Sequence, residues 1–421
     1  MLENSNFFAG LRPEILIDGV VVQQLSEHLL EMRVMSSVHG HAVVSMRFLN
    51  WGNTSSGRDP DFLFFDQTDL DFGRQVLVRV KQGSSAVVLF SGKVTAIEAQ
   101  SRLSSPPELF IIAEDQLAEF GRRVQNRIFK SVTDRDMLSA IAGDYGLAAD
   151  ITVDGPTYEH VVQLNQTDLA FCFERVRAAG GELWIENDIL HAKTRQDRMS
   201  GPLDLVMGKS LIEFQARADL QGQATEMRVT GWNVGMKQRN TGVANDTALG
   251  NNAVQQGQTA AKILKELTGE HTLIHEVKSM PAGGDQALTL ARQFYRERSG
   301  AFVRATGNTV DTPELHVGTV VKISQVGSLF EGDYYLAAVT HTFSSLTGFQ
   351  TEFEAERAWL NRKPSRRSKK EVPGGTTTRK KPTVPRKPTT LLRQPTTPSS
   401  RITSRPVVRR VPSIGQRRKR P

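Results

Sequence analysis

Several stretches of this chain carry residue types that chemistry uses. Gly208-Lys209-Ser210 has the ending of a phosphate-binding loop, in which backbone N–H groups and a lysine cradle phosphates. That loop needs a glycine at position 203, where the chain has Leu203, and Gly201 is two places off. A β-turn is expected instead. His271-Thr-Leu-Ile-His275 has the spacing of paired zinc ligands on a helix, but Thr272 replaces the expected glutamate and the segment looks extended. On a strand the two imidazoles would lie roughly 13 Å apart, too far to share one ion. His39 and His41 have no visible third ligand. Asp66-Gln-Thr-Asp69-Leu-Asp71-Phe-Gly73 resembles a calcium loop loosely, yet its glycine is at the eighth place and Leu77 stands at the twelfth. Cys172, the single cysteine, lies in Leu169-Ala-Phe-Cys-Phe and is expected as a core residue without a basic neighbour to activate it. No catalytic residue, cofactor site or metal site is assigned, and an enzyme is not expected.

The strongest chemical signal is charge. The chain has 53 Lys/Arg and 45 Asp/Glu; residues 361–421 hold 20 of the bases and one acid, Glu371, leaving 33 bases against 44 acids in the remainder. The body is therefore −11 and the tail +19. The tail bases cluster at Arg366, Arg367, Lys369 and Lys370, at Arg379, Lys380 and Lys381, at Arg409 and Arg410, and at Arg417, Arg418, Lys419 and Arg420. Such clusters suit a polyanion: nucleic acid, an anionic membrane or an acidic cargo protein. The competing reading is a solubilising tail held by its own acidic body. Ten of the 18 prolines and no aromatic residue fall here, so this segment is expected to be disordered and to offer no base stacking.

The remaining elements follow from periodicity. Strands are expected near 14–18, 29–37, 42–48, 74–82, 86–100 and 108–114, with a hairpin turn at His39-Gly40-His41 and a long polar loop over 50–72. Thr133 caps a helix running to Asp144, a second covers 168–179, and a hairpin turns at Asn187-Asp188. Strands resume over 203–236. Residues 237–258 read as a mobile polar loop, followed by helices at 259–267 and 285–298. A strand-turn-strand unit occurs twice, at 73–100 and 318–357, each opening with glycine and each containing Leu-Phe-x-Gly, at Leu89–Gly92 and Leu329–Gly332. The fold class is mainly β: two tube-like β-barrel domains, 1–115 and 201–360, flanking a small α+β insert, 116–200, with the disordered basic tail at 361–421. The N-terminus has no signal peptide and no stretch reaches a membrane-spanning length.

Several pieces in order resemble the phage late control D / VgrG-like baseplate hub family. They are Asn126-Arg-Ile-Phe-Lys-Ser-Val, Met137 through Leu147, Gln163 through Phe171, Ala179-Gly-Gly-Glu-Leu-Trp-Ile185, and Pro313 through His341. The resemblance covers roughly residues 10–358. It implies a structural role: a homotrimer whose two barrels per subunit make a pseudo-sixfold ring between a hexameric tail tube and a trimeric spike. The implied partners are itself, the tube protein, the spike and baseplate proteins. The implied location is the cytoplasm during assembly and then a phage tail or injection particle. VgrG-type members continue into a needle after the second barrel, where this chain has its basic tail. The closer resemblance is therefore to the shorter D-type hub with a separate spike. The alternative reading is a binding module attached through the basic tail.

Overall fold

The structure is a computed structural model, and it describes residues 11–363 except 54–59, 68, 84, 154, 234, 251–256, 270 and 278–282. The tail clusters from Arg366 to Arg420 lie outside the described residues. The described residues form one compact unit.

The first half holds β1 (Pro13–Ile17), β2 (Leu29–Ser37), β3 (Gly40–Leu49), β4 (Gln75–Gln82), β5 (Ser85–Arg102) and β6 (Ser105–Glu114). Alternation decides which face is inward. Met32 and Val34, Val44 and Met46, and Val76, Val78 and Val80 all turn into one core, joined by Leu25 from the short helix Gln23–His28.

The middle segment holds β7 (Val124–Val132), α1 (Asp134–Asp144), β8 (Ala148–Ile151), β9 (Tyr158–Thr167), α2 (Asp168–Ala178), β10 (Gly181–Glu186) and β11 (Ile189–Thr194). Thr133 and Asp136 form a reciprocal capping box at α1, and Thr167 caps α2. Asn187 and Asp188 both take positive φ, the geometry of a tight two-residue hairpin. Phe171, Cys172, Met137 and Ile141 share a separate core.

The second half holds β12 (Ser200–Val206), β13 (Leu211–Ala218), β14 (Glu226–Asn233), β15 (Gln238–Ala244), α3 (Ala260–Thr268), β16 (Leu273–Glu276), α4 (Gly284–Gly300), β17 (Val303–Val310), β18 (Thr319–Ser324), β19 (Gly332–Ser344) and β20 (Gly348–Arg357).

The two halves repeat one topology. The first runs β2-β3-β6-β5-β4-β1 across the sheet, and the second runs β13-β17-β20-β19-β18-β12. Chain order is also the same, strand for strand. Two pairs of irregularities match as well, while those at Met35/Ser37, Val78/Arg79, Gln100/Arg102 and Ser200/Leu203 have no counterpart. Bulges fall at Leu29/Glu31 and Leu211/Glu213, and again at Val94/Ala96 and Leu336/Ala338. Gly73 and Gly318 both take positive φ ahead of their strands and donate N–H to Val94 and Leu336, the residues just before the equivalent bulges. One difference is that β1 meets β4 antiparallel, whereas β12 meets β18 parallel.

Some expectations need correction. The repeat is present, but Leu-Phe-x-Gly does not mark it. Leu89–Gly92 lies inside β5, whereas Leu329–Glu331 forms the turn before β19. The inward residues of β18 are Val321 and Ile323. Neither half is a closed barrel among the described residues. The edge of β2 that would close the first half is hydrogen-bonded to β19, so the six repeated strands of each half lie in one thirteen-stranded sheet, while β14, β15 and β16 form a separate three-stranded sheet. The first hairpin turns at Val38-His39, and Gly40 is not at positive φ. Val38 is drawn into the second core, where its N–H donates to Ala337. The loop over 50–72 is anchored by buried Leu63, Phe64 and Leu70.

Residues 238–244, read as mobile loop, form β15 against β14. Its inward residues are Asn240, Gly242 and Ala244, too small or polar to register as an apolar stripe. Gly242 permits α4 to lie directly on the strand, since a Cβ there would overlap the backbone of Ala287 and Leu288. Gly242→Ala should therefore destabilise the fold by about 1–3 kcal/mol. The check is a lower urea midpoint for the variant with unchanged slope.

Candidate functional site

The sequence-derived chemical candidates are dispersed. Gly208-Lys209-Ser210 is the turn between β12 and β13, with Gly208 at positive φ and the Ser210 hydroxyl accepting the Val206 N–H. His275 lies on β16 and bonds the Thr230 hydroxyl. His41 pairs with Glu114 across β3 and β6. Asp71 accepts the Phe72 N–H at the end of its loop. Among the described residues, no group of three His, Cys, Asp or Glu side chains is placed to hold a metal ion. Cys172 is buried, and burial with the nearby Asp168 carboxylate pushes its thiol far up, so it stays protonated. No helix among the described residues is long and apolar enough to cross a membrane.

Buried charges that do converge are paired, and they tie elements together. Glu182 on β10 accepts from Arg195 at 3.2 Å, Arg198 at 3.0 Å and the Tyr335 hydroxyl at 2.5 Å. Arg195 also reaches Glu356 on β20 and lies over the Tyr335 ring. Arg198 lies over Trp184. This network clamps the middle segment to β19 and β20. Burial, with the Glu182 carboxylate next, pushes the Tyr335 hydroxyl far up, so it remains a donor. Two similar clamps hold the middle segment itself. Asp134 binds Arg175 and Tyr158, and Asp168 binds Arg127, Gln163 and Tyr145. None of these partners was legible in the sequence, because they lie 5 to 161 residues apart without a shared spacing. Asp115 is raised to about 6 by burial, but it accepts the N–H groups of Ala42 and Leu117 and so joins β3 to the short helix Leu117–Phe120.

Open surfaces are more distinctive. A groove of about 430 Å³ runs over the seam where β2 meets β19, with Arg33, Arg47, Glu31 and Glu98 on its walls and Phe110 and Ile112 on its floor. Arg47 pairs with Glu31 and Glu108, and Arg33 pairs with Glu352. Between β3 and β4, Trp51, Phe62 and Phe65 pack ring on ring at the surface, with Phe72 65% exposed nearby. Exposed aromatic clusters of this kind mark contact surfaces.

The fold places the chain in a recognisable class. The 43 kDa tail protein of prophage MuSo2 from Shewanella oneidensis superposes with a TM-score of 0.61, covering 83% of this chain and 99% of that one at 11% identity. A tail protein from Neisseria meningitidis MC58 gives 0.58, covering 83% and 97% at 12% identity. The E. coli c3393 protein, described as a type VI secretion component similar in structure to the T4 tail proteins gp27 and gp5, gives 0.51, covering 83% and 79% at 10% identity. At these identities the likeness is one of fold. No curated protein matches in sequence. Residues 11–345 match the family model described as the Alg8 N-terminal domain, and the chain belongs to that family.

Removing Glu182 would leave Arg198 without its carboxylate partner and Arg195 with Glu356 alone. Glu182→Ala should cost about 3 kcal/mol of stability, whereas distant surface Glu→Ala changes should cost little; chemical denaturation measures both. The seam between the halves should also be acid-sensitive. His341 is buried on β19 opposite Val34, and burial lowers its pKa to about 4 from 6.5. The unfolded chain protonates as pH falls through 6.5, while the folded chain resists until about 4. The contribution of the neutral imidazole is thus complete above pH 6.5 and is lost between 6.5 and 4, by about 3 kcal/mol. Relative to His341→Gln, the parent should lose that much stability between neutral pH and about pH 4, measured by urea unfolding.

Proposed function

We propose that this chain is a structural hub of a contractile phage tail or phage-like injection machine. Three copies form a ring of six equivalent modules that joins a hexameric tail tube to a trimeric spike. The observation that carries this reading is the internal repeat: six strands in one order, five of them with the same pairing directions and with two matched pairs of bulges, present twice in one chain. A protein built this way supplies two equivalent modules per copy, which is what a threefold-to-sixfold adaptor requires. The similarity in fold to tail proteins supports it. The exposed aromatic cluster beside β3 supports an assembly role, since it would be covered in a larger particle. In this reading 1–115 and 201–360 are the two tube-like modules, 116–200 is the insert between them, and the buried ion-pair clamps make the unit rigid enough to transmit load.

A second, compatible activity is favoured by the charge of residues 361–421. The clusters from Arg366 to Arg420 attach the particle to an acidic cargo, nucleic acid or an anionic membrane.

The full chain should sediment as three times 46.7 kDa, alone or when co-expressed with a tube or spike protein. A chain ending at 363 should assemble equally well but lose any binding to polyanions that weakens steeply with salt. A monomer that binds neither tube nor spike contradicts the hub reading. Unchanged salt-sensitive binding after truncation contradicts the role given to the tail.

A further inference from the structure

The two halves correspond strand for strand, yet a junction made by one is left unmade by the other. In β19, Gly332–Tyr335 pairs with β18. Past the bulge at Leu336/Ala338, Ala338–Ser344 pairs with β2. In β5, Ser85–Lys93 pairs with β4, and the equivalent bulge is at Val94/Ala96. Beyond it, Ala96–Arg102 is bonded to β6 along one edge and, among the described residues, to no strand along the other. The equivalent of β2 is β13. It is bonded to β17 on one side and, among the described residues, to no strand on the other, where there is an isolated bridge from Met207 to Leu211. Each open edge is a row of N–H and C=O groups able to pair with another chain.

We propose that β13 of one copy pairs antiparallel with Ala96–Arg102 of β5 in a second copy, extending the sheet between chains as β2 and β19 extend it within one. This deepens the ring reading, which it needs only for closure of the ring. The pairing itself stands on the sheet topology.

The internal ladders set the register. Val34 pairs with Val44, and Val44 with Ala113; Ala216 pairs with Ala305, and Ala305 with Ala355. Ala113 and Ala355 are the partners of Val94 and Leu336 immediately before the two bulges. Val34 therefore corresponds to Ala216, and His341 corresponds to Ala99. Since Val34 faces His341 within the chain, Ala216 faces Ala99 between chains. The same step puts Arg217 opposite Glu98 and Glu213 opposite Arg102. All four charged residues are exposed. Both cross-strand pairs have opposite charge, an outcome the backbone topology did not impose. On the other face, half-buried Ile97 meets half-buried Ala218, at the positions where Val339 meets Ser36 in the internal seam. A slip of one residue would turn these side chains to the wrong face. The contact is head to tail, so it closes into a ring when the rotation per copy permits.

The test mixes two full-length chains, one carrying Glu98→Cys and the other Arg217→Cys; Cys172 is buried and stays silent. Mild oxidation should give a covalent species of twice 46.7 kDa on a non-reducing gel. Replacing Arg217→Cys by Gln215→Cys, which shifts the register, should reduce it sharply. Glu98→Arg should weaken self-association about tenfold, and adding Arg217→Glu in the same chain should restore it. Assembly without the 98–217 cross-link overturns the pairing and leaves the ring reading standing. A chain that remains monomeric at every concentration and gives no cross-link overturns both. A cross-link in an assembly that is not threefold keeps the pairing and overturns the trimeric ring.

Discussion

The whole architecture depends on β19 having two partners along one edge. Its first residues complete the second half through β18, and its last seven complete the first half through β2. Side chains follow the ladder. Tyr334, Tyr335 and Leu336 belong to the second core, while Phe343 and, from β20, Phe349 belong to the first. Val38, at the tip of the β2–β3 hairpin, returns the exchange by entering the second core. Strand pairing and apolar burial thus act on the same seam, and His341 is held neutral within it. The two halves cannot separate without exposing both a hydrogen-bonded edge and core residues of each.

The middle segment is attached by a different kind of force. Its own core is apolar, but its hold on the second half runs through Glu182, Arg195, Arg198, Tyr335 and Glu356. A paired and hydrogen-bonded charge cluster of this kind adds little net stability over apolar packing, yet it is strict about geometry. It fixes the orientation of the segment relative to β19, the strand that also fixes the two halves. Rigidity, rather than a reactive centre, is what this arrangement provides.

Much of this was legible in the sequence, and the failures have physical causes. Alternation located the strands of the first half, and Thr133 and Asn187-Asp188 marked a helix start and a hairpin through local chemistry. A doubled strand unit was visible, but the tetrapeptide that drew attention to it occupies different places in the two copies. The equivalence lives in backbone features, namely paired bulges and the positive-φ glycines Gly73 and Gly318, which leave little trace in side-chain pattern. Closed barrels were expected because a strand run does not reveal which strand takes the last open edge. β15 was missed because close helix packing selected Gly242 and Ala244 in place of large apolar residues. The ion-pair clamps were missed because their members are distant in the chain. The tail clusters were visible from charge alone and lie outside the described residues.

In the proposed assembly one chain supplies two equivalent modules to a closed ring. Electron cryomicroscopy of the assembled full-length protein tests it most directly. The account predicts a ring with twice as many similar lobes as chains, six for three copies, with sheet running continuously from lobe to lobe. A particle with one lobe per chain, or with lobes separated by gaps in the sheet at every chain boundary, would contradict it.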